Sequence, residues 1–416
     1  MSDPGAPTGP GAPPANPMRN GGFLGLLSYR LLGTLSYQVV AVTVGWHVYE
    51  LTRNPFSLGL IGLAEVIPYF CTAPFAGYLV DHLPRRKLGM VASLGLAVTA
   101  ALLAAIAFGW ISTEGVDGGA PRTWPIYAAI ALTGAARSFL SPVYNAIFAR
   151  VLPRPQFPRG ASIGSVTFQL GLVIGISGVG AAYVLAIVLA ACAAVAIRLV
   201  RVTEPPIQLQ RAPVFASIRD GVRFVAGHQI LLGALALDMF AVLFGGAVSL
   251  LPAFIKEILH YGPEGLGILR AAPALGAVLV GTWMARHPPD RDAGRTLLFA
   301  VAGFGMCIVG FGLSTHFWLS ALLLFGSGLF DGVSVVLRST IMQLATPDEM
   351  RGRVSSINGL FVGSSNELGA FYAGTMARLL GLVPAVVLGG FVTMGVVAVT
   401  AKKAPKLRRL HLSDLH

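Results

Sequence analysis

Twelve apolar stretches of about twenty residues or more follow one another along this chain, with polar breaks between them that are short except at the centre. A helix needs about 20 apolar residues to cross the hydrocarbon of a bilayer. Lipid offers no partner to a free backbone N–H or C=O, so only a structure that satisfies both internally can span it. The first six stretches lie near 23–50, 57–80, 88–112, 124–149, 160–179 and 181–200, and the second six near 229–256, 264–285, 294–315, 317–343, 355–380 and 382–401. The chain is 55% hydrophobic and 12% charged, against about 25% charged in soluble domains. A soluble fold is excluded, and an all-α membrane protein is expected.

The formal net charge is +12, but the bases stand in small groups between apolar stretches. That is how topology determinants are distributed, not a surface for nucleic acid, and no nucleic-acid partner is expected. With twelve spans and a cytoplasmic N-terminus, every dense basic cluster falls inside: "DHLPRRK", "RVLPRPQFPRG", 201–228, "RHPPDRDAGR", "TPDEMRGR" and "KKAPKLRRLH". Reading spans five and six as one long helix gives eleven spans and breaks this alternation. Both termini are therefore expected in the cytoplasm of a bacterium, with the chain in its inner membrane. The organisation expected is a Pro/Gly-rich disordered tail (1–21), a six-helix bundle (22–200), a cytoplasmic linker (201–228), a second bundle (229–401) and a basic tail (402–416). Within the linker, Phe215, Ile218, Val222 and Val225 recur at helical spacing and suggest an amphipathic surface helix, the alternative being a plain solvated loop. Cys71, Cys192 and Cys307 all lie inside apolar runs, which suggests neither a disulfide framework nor a metal site. No phosphate-binding loop and no nucleophile–base constellation is present in the sequence, so neither an ATP-driven machine nor an enzyme is expected, and no cofactor.

The two halves repeat one another weakly. A shift of 205 residues lays span two on span eight, matching Gly62 with Gly267, Pro68 with Pro273 and Arg86 with Arg291. A shift of 194 lays span four on span ten, matching Gly134 with Gly328, Pro153 with Pro347 and Arg159 with Arg353. The same shifts place Glu65 on Arg270 and Arg137 on Asp331, and a looser shift of 208 places Arg30 on Asp238. Opposite charges at equivalent places are the pattern expected of two halves that face one another across a cavity.

An ionisable residue inside the membrane costs several kilocalories unless it is paired or wetted, so each is a functional candidate. Asp331, Asp238, Glu65 and Glu367 are the candidates for carrying protons. Arg30, Arg137 and Arg338, with the neutral Gln38 and Asn366, are the candidates for lining a substrate cavity. The alternative for Arg137 and Asp331 is a static ion pair, and for Arg270 and Arg338, near helix ends, snorkelling to the interface.

"GYLVDHLPRR" (Gly77 to Arg86) resembles the signature between spans two and three of the major facilitator superfamily, with Gly77, Asp81, Arg85 and Arg86 at the matching positions. His82 and Pro84 depart from the usual base and glycine. "TPDEMRGRVSSINGLFVGSSNELG", "ALALDMFAVLFGGAVSLLPAF" and "GLGILRAAPALGA" are similar to the branch of bacterial efflux proteins that contains the enterobactin exporter. Span five lacks the Gly-Pro usual in such exporters. The resemblance covers roughly residues 22–405. It implies two pseudo-symmetric six-helix bundles that rock about a cavity lined by spans one, four, seven and ten. It also implies a cytoplasmic gate in which Asp81 meets the N-terminus of span eleven, with Gly77, Arg85, Arg86, Arg351 and Arg353 around it. A helix N-terminus carries about half a positive charge, which suits the carboxylate.

The function expected is secondary active transport: proton-coupled export of a small amphipathic molecule such as a siderophore, by a monomer in the bilayer. Asp331 facing Arg137 and Asp238 facing Arg30 are the expected proton-handling pairs. The alternatives are a multidrug or macrolide efflux pump, a proton-coupled metabolite importer, and a membrane interaction protein that does not transport.

Overall fold

A computed structural model describes residues 20–113, 121–152, 178–200, 214–286, 292–347 and 350–411. Among these residues all regular structure is helical. The first half contains α1 (Gly21–Thr52), α2 (Pro55–His82), α3 (Arg85–Ala107), α4 (Trp124–Arg137), α5 (Leu140–Val151) and α6 (Val179–Leu199). A connecting helix α7 (Val214–Gly227) follows. The second half contains α8 (Gln229–Phe244), α9 (Leu251–Phe254), α10 (Pro263–Arg286), α11 (Ala293–Leu313), α12 (Phe317–Leu344), α13 (Arg351–Leu380) and α14 (Leu382–Lys403), then the short α15 (Pro405–Arg408). The stretch assigned to span five, with the departure noted in it, lies outside the described residues. Gly178 has φ +100°, which no right-handed helix admits, so α6 cannot run back unbroken as the eleven-span alternative requires.

Ten helical segments among the described residues are long and apolar enough to cross a membrane. α13 has the length, with 30 residues, but carries Asn358, Ser364, Ser365, Asn366 and Glu367 along it. Its position explains how so polar a helix is accommodated. It packs along α2 on one side and α8 on the other, shielded from lipid by both halves.

Two expected spans are broken instead of continuous. Span four stops at Arg137 and resumes at Leu140. Pro142 has no N–H for the Ser138 carbonyl, and its ring crowds that oxygen, which breaks the helix there. The break is tied to α2 through hydroxyls: Thr72 donates to Ser138 Oγ at 2.9 Å, and Ser138 donates to the Ala135 carbonyl at 2.8 Å. Span seven ends its first segment at Phe244, passes Gly245 and Gly246, and continues through a 3-10 turn (Ala247–Leu250), α9 and a π turn (Ile255–Leu259). Gly246 lies against the Gly369 backbone of α13, where a Cβ would come within 3.0 Å of the Gly369 carbonyl.

The repeat is visible in the packing. A Cβ on Gly134 would run into the Glu65 carbonyl, and one on its matched residue Gly328 would run into the Pro273 carbonyl. The α2–α4 and α10–α12 crossings are thus the same close approach made twice. Tyr49 and Glu257, 208 residues apart, hydrogen bond to each other across the halves. That spacing is the one that laid Arg30 on Asp238.

The halves are joined through a shared core at one end. Val42, Trp46, Tyr49 and Leu58 share a core with Leu250, Phe254, Ala373 and Ala377. Lys256 pairs with Glu50 at 3.1 Å and stands 5.1 Å from the Trp46 ring. Residues 377, 373, 366 and 359 share one face of α13. Ala377 and Ala373 are buried, at 4% and 7% exposure. Asn366 is exposed, and so is Gly359, whose added Cβ would meet nothing within 4 Å. This face of α13 is thus covered at the joined end and uncovered toward the basic end. α7 lies at that end, with Val225 buried against Leu235 and Val354, while Val222 is exposed.

Gly134→Val and Gly328→Val are each expected to cost about 1–3 kcal/mol by overpacking, read as a lower thermal midpoint in detergent. Gly281→Ala, where the added Cβ meets nothing within 4 Å, is expected to leave the midpoint unchanged or raise it, by up to about 1 kcal/mol. Equal melts for all three would remove the account of the repeat as a packing device.

Candidate functional site: a charge cluster shared by the two halves

Arg137 is the last residue of α4, at the break that Pro142 creates. Its Nη1 donates to Tyr37 Oη at 2.7 Å and to Glu367 Oε1 at 2.9 Å, and makes a third, very short contact with Glu65 Oε1. Glu65 belongs to the first half and Glu367 to the second. Their side chains are 6% and 14% exposed, and that of Arg137 is 22% exposed. The guanidinium carbon stands 4.5 Å from the Tyr37 ring centroid and 5.4 Å from that of Tyr69, so the aromatic faces add a cation–π contribution. Arg270, on α10, is close enough to Glu367, Glu65 and Tyr37 to feel their charge. Two carboxylates thus meet the Arg137 guanidinium at the end of α4, with Arg270 near enough to interact. Removing one partner of such a buried pair costs about 3–5 kcal/mol, because the other charge is left uncompensated.

A second polar group lies inside the second half. Asp238 pairs with Arg338, each 6% exposed. Asp238, Asp331 and Ser334 line a cavity of about 10 Å³ with Val301, Phe304 and Phe330.

These positions correct the expected pairings. Asp331 faces α8 and α11 within its own half, not Arg137. Arg338, seven residues further along α12 and on the same face, takes Asp238. Arg30 instead lies 4.2 Å over the Tyr144 ring. Neither Arg338 nor Arg270 snorkels, since the first is buried on Asp238 and the second turns to the central cluster. Gln38 is half-buried, and the exposed Asn366 donates to the Val362 carbonyl at 2.9 Å. Arg85 donates to the Val80 and Ala146 carbonyls at 3.2 and 3.3 Å, and Arg86 to the Val200 carbonyl at 3.2 Å. These contacts bind α3 to the ends of α2, α5 and α6. The side chains of Asp81, Arg351 and Arg353 and the surroundings of Gly77 lie outside the described residues.

Sequence reasoning missed Tyr37, Tyr69 and the paired residues at the joined end. Tyr37 lies seven residues after Arg30, hence on the same helix face, and Tyr49 and Glu257 carry the offset of the repeat. Among the described residues no group of three or more His, Cys, Asp or Glu could hold a metal ion.

The Major Facilitator Superfamily model matches residues 26–370. The chain is 24% identical over 419 residues to the multidrug efflux pump Tap of Mycolicibacterium fortuitum, covering 95% of this chain and 98% of that protein. It is 24% identical over 387 residues to the enterobactin exporter EntS of Shigella dysenteriae serotype 1, covering 89% and 88%. Among solved structures, it superimposes with TM-score 0.71 and 14% identity on a bacterial homologue of the human lysosomal transporter Spinster, inward-facing and unoccupied, covering 95% of this chain and 99% of that one. A D-xylose–proton symporter also matches with TM-score 0.71, at 10% identity and 94% and 99% coverage. At these identities the solved structures speak for the fold alone. The helical architecture, the duplicated packing and the match along most of the chain agree: this protein is an integral membrane protein of the major facilitator superfamily.

Proposed function

We propose that this protein is a proton-driven exporter of small amphipathic molecules in a bacterial inner membrane. It works as a monomer with both termini in the cytoplasm and carries out no catalysis. One observation carries the reading: a single nitrogen of Arg137 is held by Glu65 of its own half and by Glu367 of the opposite half. A charge network that crosses the rocking interface has to rearrange when the halves move. With the basic end in the cytoplasm, the uncovered face of α13 lies on the inner side, where cargo would load. Cargo entering beside the cluster competes for Glu367 or Arg137 and loosens the link. Once the halves part on the outer side, Glu367 is withdrawn from Arg137 and takes a proton there. The neutral carboxyl returns with the emptied cavity, and the approach of Arg137 expels the proton inward. Asp81 supports the cytoplasmic gate when that side closes.

The similarity to an enterobactin exporter supports a siderophore as cargo, and the similarity to a multidrug pump supports amphipathic drugs. The geometry adds weight to the second class. Arg137 and Arg338 already have carboxylate partners, so an anionic cargo would have to displace one, whereas a neutral or cationic amphiphile needs only aromatic walls and a carboxylate.

In proteoliposomes under an imposed pH gradient, Glu367→Gln is expected to slow proton-driven efflux of an amphipathic cationic dye at least about tenfold, a loss of roughly 1.4 kcal/mol. Exchange of dye down its own gradient should persist. Undiminished proton-driven efflux would sink the proposal. Asp81→Asn tests the gate separately: it should slow both modes together, and normal rates in both would dismiss that role.

A further inference from the structure

We propose that the segment after α14 forms, with the first turn of α11, a site for an anionic phospholipid of the inner leaflet on the lipid-facing side of the second half. The stretch "KKAPKLRRL" (Lys402 to Leu410) sorts its residues by side. Ala404, Leu407 and Leu410 are buried in a core shared with α8 and α11. Lys402, Lys403, Lys406, Arg408 and Arg409 are all exposed. The backbone fixes this strap as well: the Gly294 N–H donates to the Leu410 carbonyl at 3.3 Å, and Gln229 Nε2 donates to the Lys403 carbonyl at 3.2 Å. A Cβ on Gly294 would run into the Leu407 carbonyl, so the crossing of strap and α11 requires glycine there.

The strap thus holds five bases in fixed positions, and among the described residues none of their side chains has an ion pair or hydrogen bond. Asp292, at the start of α11, stands 3.7 Å from Arg295 and 3.9 Å from His411. One carboxylate cannot balance this excess of positive charge. The neighbouring helix faces indicate what does. Arg295, Phe299, Met306 and Leu313 recur at helical spacing along one face of α11, and all four are exposed. Phe391, Ala398 and Lys402 do the same on α14, which packs against α11. Each apolar stripe offers a surface to acyl chains, and each ends in a base at the cytoplasmic rim, where lipid phosphates lie. Basic groups between helices at that level suit anionic headgroups. A free anion would use only the bases, whereas a phospholipid uses the bases and the stripes together. Positive charge at this edge also serves topology, but topology requires only the charge, not a docked strap. None of these residues belongs to the Arg137 cluster, so the site does not depend on the transport cycle proposed above.

The test uses purified full-length protein in a non-ionic detergent, with radiolabelled dioleoyl phosphatidylglycerol and dioleoyl phosphatidylcholine as probes and bound lipid counted after gel filtration. The wild type is expected to hold phosphatidylglycerol at least about tenfold more tightly than phosphatidylcholine, with the preference shrinking as salt is raised. Lys402→Gln, Lys406→Gln, Arg408→Gln and Arg409→Gln together should abolish the preference. Leu407→Gln with Leu410→Gln keeps all five bases but undocks the strap, and should abolish it too. A preference that survives either set of substitutions overturns the site. So does displacement of the lipid by millimolar inorganic phosphate, which would mark a site for a free anion. The four-base variant alters only exposed side chains, so it decides the matter alone if the undocked variant does not fold. If proton-driven efflux is absent from the wild type but phosphatidylglycerol follows the strap, the export reading falls and this site stands.

Discussion

Arg137 offers one guanidinium nitrogen to three oxygens, and two of those oxygens belong to different halves of the molecule. The rest of the architecture can be understood as what makes this arrangement tolerable in a membrane. A guanidinium cannot shed its charge, so it has to be compensated where it stands. α4 ends at Arg137 because Pro142 interrupts the helix. Gly134 lets the Glu65 backbone come close enough for the carboxylate to reach. Tyr37 and Tyr69 close over the flat faces of the group. α13 brings Glu367 from the opposite half, and it can be polar only because α2 and α8 screen it. The ion pair costs desolvation and returns it only while all partners are present, so it is a weak source of stability and a sensitive reporter of relative position.

Much of this was legible in the sequence, and the reason is the bilayer. Backbone satisfaction forces apolar runs of fixed length, so the fold class could be read directly. The duplication was legible through Gly134 and Gly328, because a close helix crossing tolerates no side chain and the requirement recurs in both halves. The charged residues were legible as a set, since each is expensive in lipid. Their pairings were not. Two helices of opposite charge can present those charges to one another or to third helices, and the choice depends on rotation about the helix axis. Asp331 turned toward α8 and α11 instead of Arg137, and nothing in the local sequence fixes that angle. The breaks after Arg137 and Phe244 had their signals in Pro142 and in Gly245–Gly246, but apolarity alone runs through both.

The polar character of α13 has a consequence for how the protein is made. A helix bearing Asn358, Asn366 and Glu367 partitions poorly into lipid when it first leaves the ribosome, because each such residue opposes insertion at mid-bilayer. Its final surroundings, α2 and α8, are synthesised long before it and are already embedded. Biogenesis therefore has to proceed by docking: the late helix enters against a groove prepared by earlier ones, and the joining of the two halves is part of inserting the second.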